Sequence, residues 1–253
     1  MFVRTLTFVV LIAMHAVPLF AACDSDELHR KRDRAIEIMT RLTAETADAA
    51  KTGRMPICYV IAKGIAGDSA QQSTIRESID EKASLESELH SCGLSKPSAD
   101  SITTMGSYYS HLASYTRECN GFSDLYLDYI SQLRSSGVSR VSTEAFESLR
   151  LSVRNSMAER EKLADLYEGK ARALLNIPAS QDYVPAMFSL AFIFSQQESN
   201  AFDRNRAIDL WARAADIALK NGDRDIALKA LSHIEYLDKA HPSAERLRHL
   251  LFN

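Results

Sequence analysis

From Asp24 almost to the last residue, apolar side chains recur three and four positions apart, the spacing that lines one face of an α-helix. A chain patterned this way must bury helix against helix, and the expected class is all-α, beginning with an N-terminal antiparallel helical bundle. Asp24 to Lys51 carries Leu28, Ala35, Leu42 and Ala49 at intervals of seven, with Ile38 or Met39 between the middle pair. Lys31 or Arg32 and Glu45 or Thr46 occupy the matching gaps on either side, which favours ordinary bundle packing over a sustained coiled coil. Asp24, Asp26 and Glu27 suit the positive end of this helix. A break at Thr52 to Pro56 and a short apolar piece from Ile57 to Ala66 follow, punctuated by Gly64 and Gly67. Ser69 to Ser91 is the second helix, stopped by Gly93. Pro97 and Ser98 open a third, running through Met105, Tyr109 and Leu112 to a stop at Asn120-Gly121, and Phe122 to Arg134 continues as a shorter helix.

Ser142 or Thr143 then caps the longest element, whose stripe of Phe146, Leu149, Val153, Met157, Ala164, Tyr167, Ala171 and Leu174 leads down to Asn176. Arg160 is its one basic intrusion and is expected as a snorkelling side chain on a solvated edge.

In the C-terminal third, Ala186, Leu190, Ala191 and Phe194 are followed by Asp203, Ala207, Trp211, Ala214 and Ala215. This pattern resembles a Sel-like repeat, a member of the tetratricopeptide-type helical hairpins. In such repeats small residues let paired helices approach and aromatics fill the space between hairpins. An overlapping register, Ala214, Ile217, Ala218, Ala230, Ile234, Leu237 and Pro242, resembles a tetratricopeptide unit. It departs from that family at Asn221, where a tyrosine is usual, and at Leu237, where a small residue is usual. The resemblance covers about residues 183–252 and implies an adaptor that holds a peptide or another protein on its helices. The helix from Tyr183 to Phe194 has a surplus apolar face: Phe188 and Phe192, four apart, point away from the hairpin positions. They either line a binding groove or dock on the long helix of Phe146 to Leu174. With Trp211 they are the candidate partner-binding anchors.

The first residues set the compartment. Arg4 precedes a mostly apolar run from Thr5 to Phe20, and Ala21-Ala22 supply a small-residue exit. That run is shorter than the roughly 20 residues needed to cross a bilayer, so an export signal is expected rather than an anchor. The chain thus divides into a signal peptide (1–22), a helical bundle (23–140) and a long helix with repeat hairpins (141–253). Cys23 follows the exit directly. Phe20 is an unusual residue three positions before a lipidated cysteine, and it suits ordinary cleavage no better, so lipidation of Cys23 and a free N-terminus both stay open. The first outcome ties the protein to a membrane surface; the second leaves it periplasmic or secreted.

Four cysteines in an oxidising compartment suggest two bridges. The first three long helices, each roughly 33 to 42 Å, match as a bundle. Up-and-down packing then puts Cys23 with Cys92 at one end and Cys58 with Cys119 at the other. The remaining composition excludes more than it assigns. Without Arg4, 29 of the 30 basic residues face 33 acidic ones, and no Lys/Arg-rich run would track a phosphate backbone, so nucleic acid is not an expected partner. No catalytic signature is found and no cofactor is expected. His90 and Cys92 lack two further zinc ligands at sensible spacing, and Glu198-Ser199 resembles the catalytic glutamate region of lysozyme-like lytic enzymes without their Gly-rich substrate-site sequence. The expected function is an exported, non-enzymatic adaptor or scaffold of the cell envelope. A homo-oligomeric structural component is the alternative, and a cell-wall lytic enzyme stands third. The two-bridge pattern predicts four thiols that alkylate only after reduction, read by intact mass of the mature protein; a lipid mass on Cys23 would instead leave one bridge at most.

Overall fold

The computed structural model describes residues 25–51, 69–95, 97–137, 142–197 and 199–252. The expected leader, Cys23, the break after Lys51, the apolar piece with Cys58 and the glutamate Glu198 lie outside the described residues, as does the side chain of Cys92. The described residues form eight helices and no strand. They are α1 (Ser25–Lys51), α2 (Ser69–Ser95), α3 (Ala99–Ser135), α4 (Thr143–Ser180), α5 (Val184–Ser195), α6 (Arg204–Lys220), α7 (Arg224–Asp238) and α8 (Pro242–Phe252). The fold is all-α.

Polar contacts fix how the helices run. Lys31 meets Glu88 at 2.9 Å and Arg34 meets Glu81 at 2.8 Å, so α1 and α2 are antiparallel. Ser25 and His29 both reach Asp100, which ties the starts of α1 and α3 together and makes that pair parallel. α3 and α4 form an antiparallel hairpin. Arg134 donates to Thr143 at 3.1 Å near the turn, and at the far end Gly106 lies under Leu175 so closely that a Cβ there would stand 2.5 Å from Leu175 Cγ. Glycine is needed at 106 for that approach.

Three helices differ from their expected ends. α2 passes through Gly93 to Ser95. α3 continues through Asn120-Gly121 because Asn120 is used between helices: its side-chain amide donates to Met157 O and to Glu161 Oε2, each at 3.2 Å. Packing on α4 overrides the weak helix propensity of the pair. α4 runs past Asn176 and through Pro178 to Ser180. It ends in a Schellman turn: Tyr183 N–H donates to Pro178 O and Asp182 N–H to Ala179 O, with Asp182 in the left-handed region at φ 64°. Gly222 closes α6 in the same way at φ 80°. Arg160 also departs from expectation. Its guanidinium donates to Asn120 Oδ1 and Ser123 Oγ, both at 2.8 Å, so it bridges α4 to α3 rather than trailing along a solvated edge.

One continuous buried cluster extends from Leu28 to Leu251 and includes α3, α4 and the four C-terminal helices. In the C-terminal part the packed positions are small: Ala207, Ala214, Ala215, Ala227 and Ala230 are all buried. α6 packs on both α5 and α7, and α8 closes over α7 and α6. Caps set the entries, with Ser98 receiving Ser101 N–H, Ser142 receiving Ala145 N–H, and Asp203 and Asp223 serving α6 and α7. Cys119 is buried on α3 and carries no free thiol.

At the middle of the α3–α4 seam, Arg117 is only 9 % exposed and meets Glu168 at 2.7 Å, Asp165 at 2.9 Å and Glu161 at 3.1 Å. Glu168 is itself 3 % exposed. Arg117→Ala leaves that carboxylate buried without its cation and is expected to cost about 3 kcal/mol or more in urea unfolding. Glu161→Gln, at the exposed end of the cluster, should cost less than about 1 kcal/mol.

Candidate functional site

α5 lies alongside α3 in the same direction, and three bonds mark a nearly constant register. Tyr183 OH donates to Asp100 Oδ1 at 3.1 Å, Ser107 and Ser189 share a hydrogen bond of 3.0 Å, and Gln196 donates to Ser114 at 3.3 Å. Each pair is 82 or 83 residues apart. Above this polar ladder the two helices diverge from α6 and α7 to leave a cleft of about 300 Å³. α3 contributes Ser107, Ser110 and His111, and α5 contributes Phe188, Ser189 and Phe192. Trp211 of α6 and His233 of α7 complete the wall.

The three candidate anchors therefore share one cleft, in different states. Phe192 is 47 % exposed. Phe188 is half-buried and packs on the main core, with its ring edge toward His233 at 6.2 Å. Trp211 is 2 % exposed, and its indole stacks on the His233 imidazole at 4.7 Å and 13°. Its Nε1–H has no hydrogen-bond partner among the described residues, an uncommon condition for a buried donor. Both rings of Phe188 and Phe192 line the cleft together with α3, α6 and α7, and Phe188 also packs on the core cluster that includes the long helix.

Past Phe192 the cleft opens into a second depression of about 420 Å³. Arg117 and Glu118 form one side, and Gln196, Gln197 and Tyr236 form the other. Tyr236 is 87 % exposed. The two depressions share Phe192, so together they make a furrow with an aromatic inner end and a polar outer end.

His111, His233 and the serines of α3 were not singled out by the sequence reading. The signal for the first lies in α3 itself, where Ser107, Ser110, His111 and Ser114 put a polar stripe at helical spacing beside Met105, Tyr109 and Leu112. His233 has no such signal, because it sits between Ala230 and Ile234 on a face that only the fold turns toward Trp211. Both imidazoles keep an exposed face; partial desolvation by the surrounding helices holds the His111 imidazole below the ordinary 6.5, with Arg32 lowering it further and Asp33 opposing. Partial desolvation alone lowers His233. His90 is engaged elsewhere, its Nε2 lying 2.6 Å from Tyr109 OH. Among the described residues no group of three or more His, Cys, Asp or Glu side chains is arranged to hold a metal ion.

Both cleft histidines are neutral in the fold at a pH where the unfolded chain takes up protons. With both rings partly in solvent the contribution to stability is small; it is present above pH about 6.5 and is lost as pH drops toward their lowered folded values. The His111→Gln, His233→Gln double variant should therefore lose less stability than the parent between about pH 7.5 and about pH 5.5, measured by chemical denaturation. Comparison of the chain with protein-family models, curated proteins and solved structures finds no match in any of the three.

Proposed function

We propose that this chain is an exported, non-enzymatic adaptor of the cell envelope that holds a partner peptide or protein in the furrow between α3 and the C-terminal helices. The observation that carries the reading is the convergence of Phe188, Phe192 and Trp211 on one cleft, with Phe192 half in solvent and Tyr236 standing free at the far end. Aromatic residues that are partly exposed around a concavity are the usual anchors of a recognition surface. The polar outer end, with Gln196, Gln197 and Arg117, supplies hydrogen-bonding groups for a backbone. A tetratricopeptide- or Sel-like arrangement of α5 to α8 accords with the small residues at their contacts. The export signal at 1–22 and the bridges Cys23–Cys92 and Cys58–Cys119 belong to the same proposal, with lipidation of Cys23 as the route to a membrane surface.

A structural oligomer is the second reading. The observation that favours it is the outward face of α4, where Leu151, Leu163, Leu166 and Ile177 are all exposed. Sedimentation decides it: a mass that rises with concentration supports the oligomer, and a strict monomer removes it.

The adaptor reading makes a sharper test possible, because its two phenylalanines differ in burial. Phe192→Ser should abolish capture of the partner cross-linked by the parent protein while changing stability by no more than about 0.5 kcal/mol. Phe188→Ser should cost about 1 to 2 kcal/mol as well, read in the same thermal melts. Unchanged capture by the Phe192 variant would sink the proposal.

A further inference from the structure

The inner end of the furrow differs chemically from the rest. Its flat walls are Phe188, Phe192 and Trp211, and its polar groups are the hydroxyls of Ser107, Ser110 and Ser189 with the imidazoles of His111 and His233. No carboxylate and no lysine or arginine lines it. At about 300 Å³ it falls at the small end of the range for small-molecule sites, and it is an open depression rather than an enclosed chamber. Trp211 adds an indole N–H that is buried and has no acceptor among the described residues. An unsatisfied donor of that kind is costly, and an acceptor brought in by a ligand removes the cost.

We propose that this inner cavity is a binding site for a small aromatic carboxylic acid, its ring held between Phe188 and Phe192 and its carboxylate accepting hydrogen bonds from His111, His233 and Trp211 Nε1–H. The inference shares its cleft with the adaptor reading but not its test, since a partner anchored on Phe192 and a small molecule seated against Trp211 are read by separate experiments. Charge complementarity selects the occupant. An anion meets no acidic side chain in the lining, whereas a cation would meet two imidazoles and an indole donor with nothing to neutralise it. The neutral serine hydroxyls suit either carboxylate oxygen. Nε1 itself is closed off from solvent, so a ligand reaches it only as the packing around the indole, on which His233 stacks, gives way.

The two histidines make the site proton-linked. Around His111 the charged groups are Arg32 and Asp33 of α1 and Glu118 of α3, while α5 presents only Phe188, Ser189 and Phe192. Around His233 the neighbours are Phe188 of α5 and Trp211 of α6, and its lowering has no cause besides partial desolvation. Both start neutral near neutral pH, and an anion placed beside them favours the protonated form. Binding of the acid therefore takes up protons and tightens as pH falls below the histidine range.

Trp211 is the only tryptophan in the chain, so its indole N–H gives one resonance in a proton–nitrogen correlation spectrum. The mature protein is titrated with phenylacetate and, separately, with phenylacetamide, at about pH 7.5 and about pH 5.5. The expected result is a saturable downfield shift of the indole resonance with phenylacetate, about tenfold tighter than with the amide at the lower pH and with that preference shrinking at the higher pH. His111→Gln should keep the spectrum of the folded protein and lose most of the pH dependence. Equal affinity for acid and amide at both pH values would overturn the carboxylate assignment while leaving partner capture through Phe192 untouched. An indole resonance unmoved by either compound would overturn the cavity as a ligand site, and the Phe192→Ser capture assay would still judge the adaptor separately.

Discussion

Arg117 holds the molecule in register. One guanidinium, nearly removed from water, meets three carboxylates on successive turns of α4. Asp165 of that set also accepts two bonds from Asn200, in the turn between α5 and α6. The cluster thus fastens the α3–α4 hairpin and the chain that leaves α5 to the same point. Burying Arg117 and Glu168 has a large desolvation cost, and it is tolerable because each of the three guanidinium nitrogens donates to a carboxylate. What the arrangement supplies is position: with Asn120 and Arg160 it fixes the rotation of α4 about α3. The furrow inherits that rotation, because α3 forms one of its walls and α5 springs from the end of α4.

The second constraint is the ladder that runs between α3 and α5. Its rungs are modest side-chain bonds, from Asp100 at one end to Ser114 at the other. They sit where an apolar contact would have sealed the two helices together along their whole length. By keeping this seam polar, the protein leaves Phe188 and Phe192 without a flat apolar surface to collapse onto, and their rings stay at the cleft.

Much of this was legible in the sequence, though unevenly. Helix class and most starts follow from local chemistry: Ser98, Ser142, Asp203 and Asp223 cap their own helices through backbone bonds only three residues away. Ends were less legible, since the continuation of α3 through Asn120-Gly121 is decided by Met157 and Glu161, about 40 residues distant. Asp182 closing α4 in a left-handed conformation, the role usually taken by glycine, depends on Arg213 standing beside it. The aromatic half of the cleft was readable from the four-residue spacing of Phe188 and Phe192. The histidine half was not, because it requires knowing that α3 and α5 run parallel and that α7 lays His233 over Trp211.

Gly106 beneath Leu175 has a mechanical consequence. With no side chain at that spot, the leucine drops into a notch on α3 that any Cβ at 106 would close. The notch works as a detent: α4 has one seat on α3 and no continuous path along it. The wall that α3 gives the furrow is thereby held at one setting against α4.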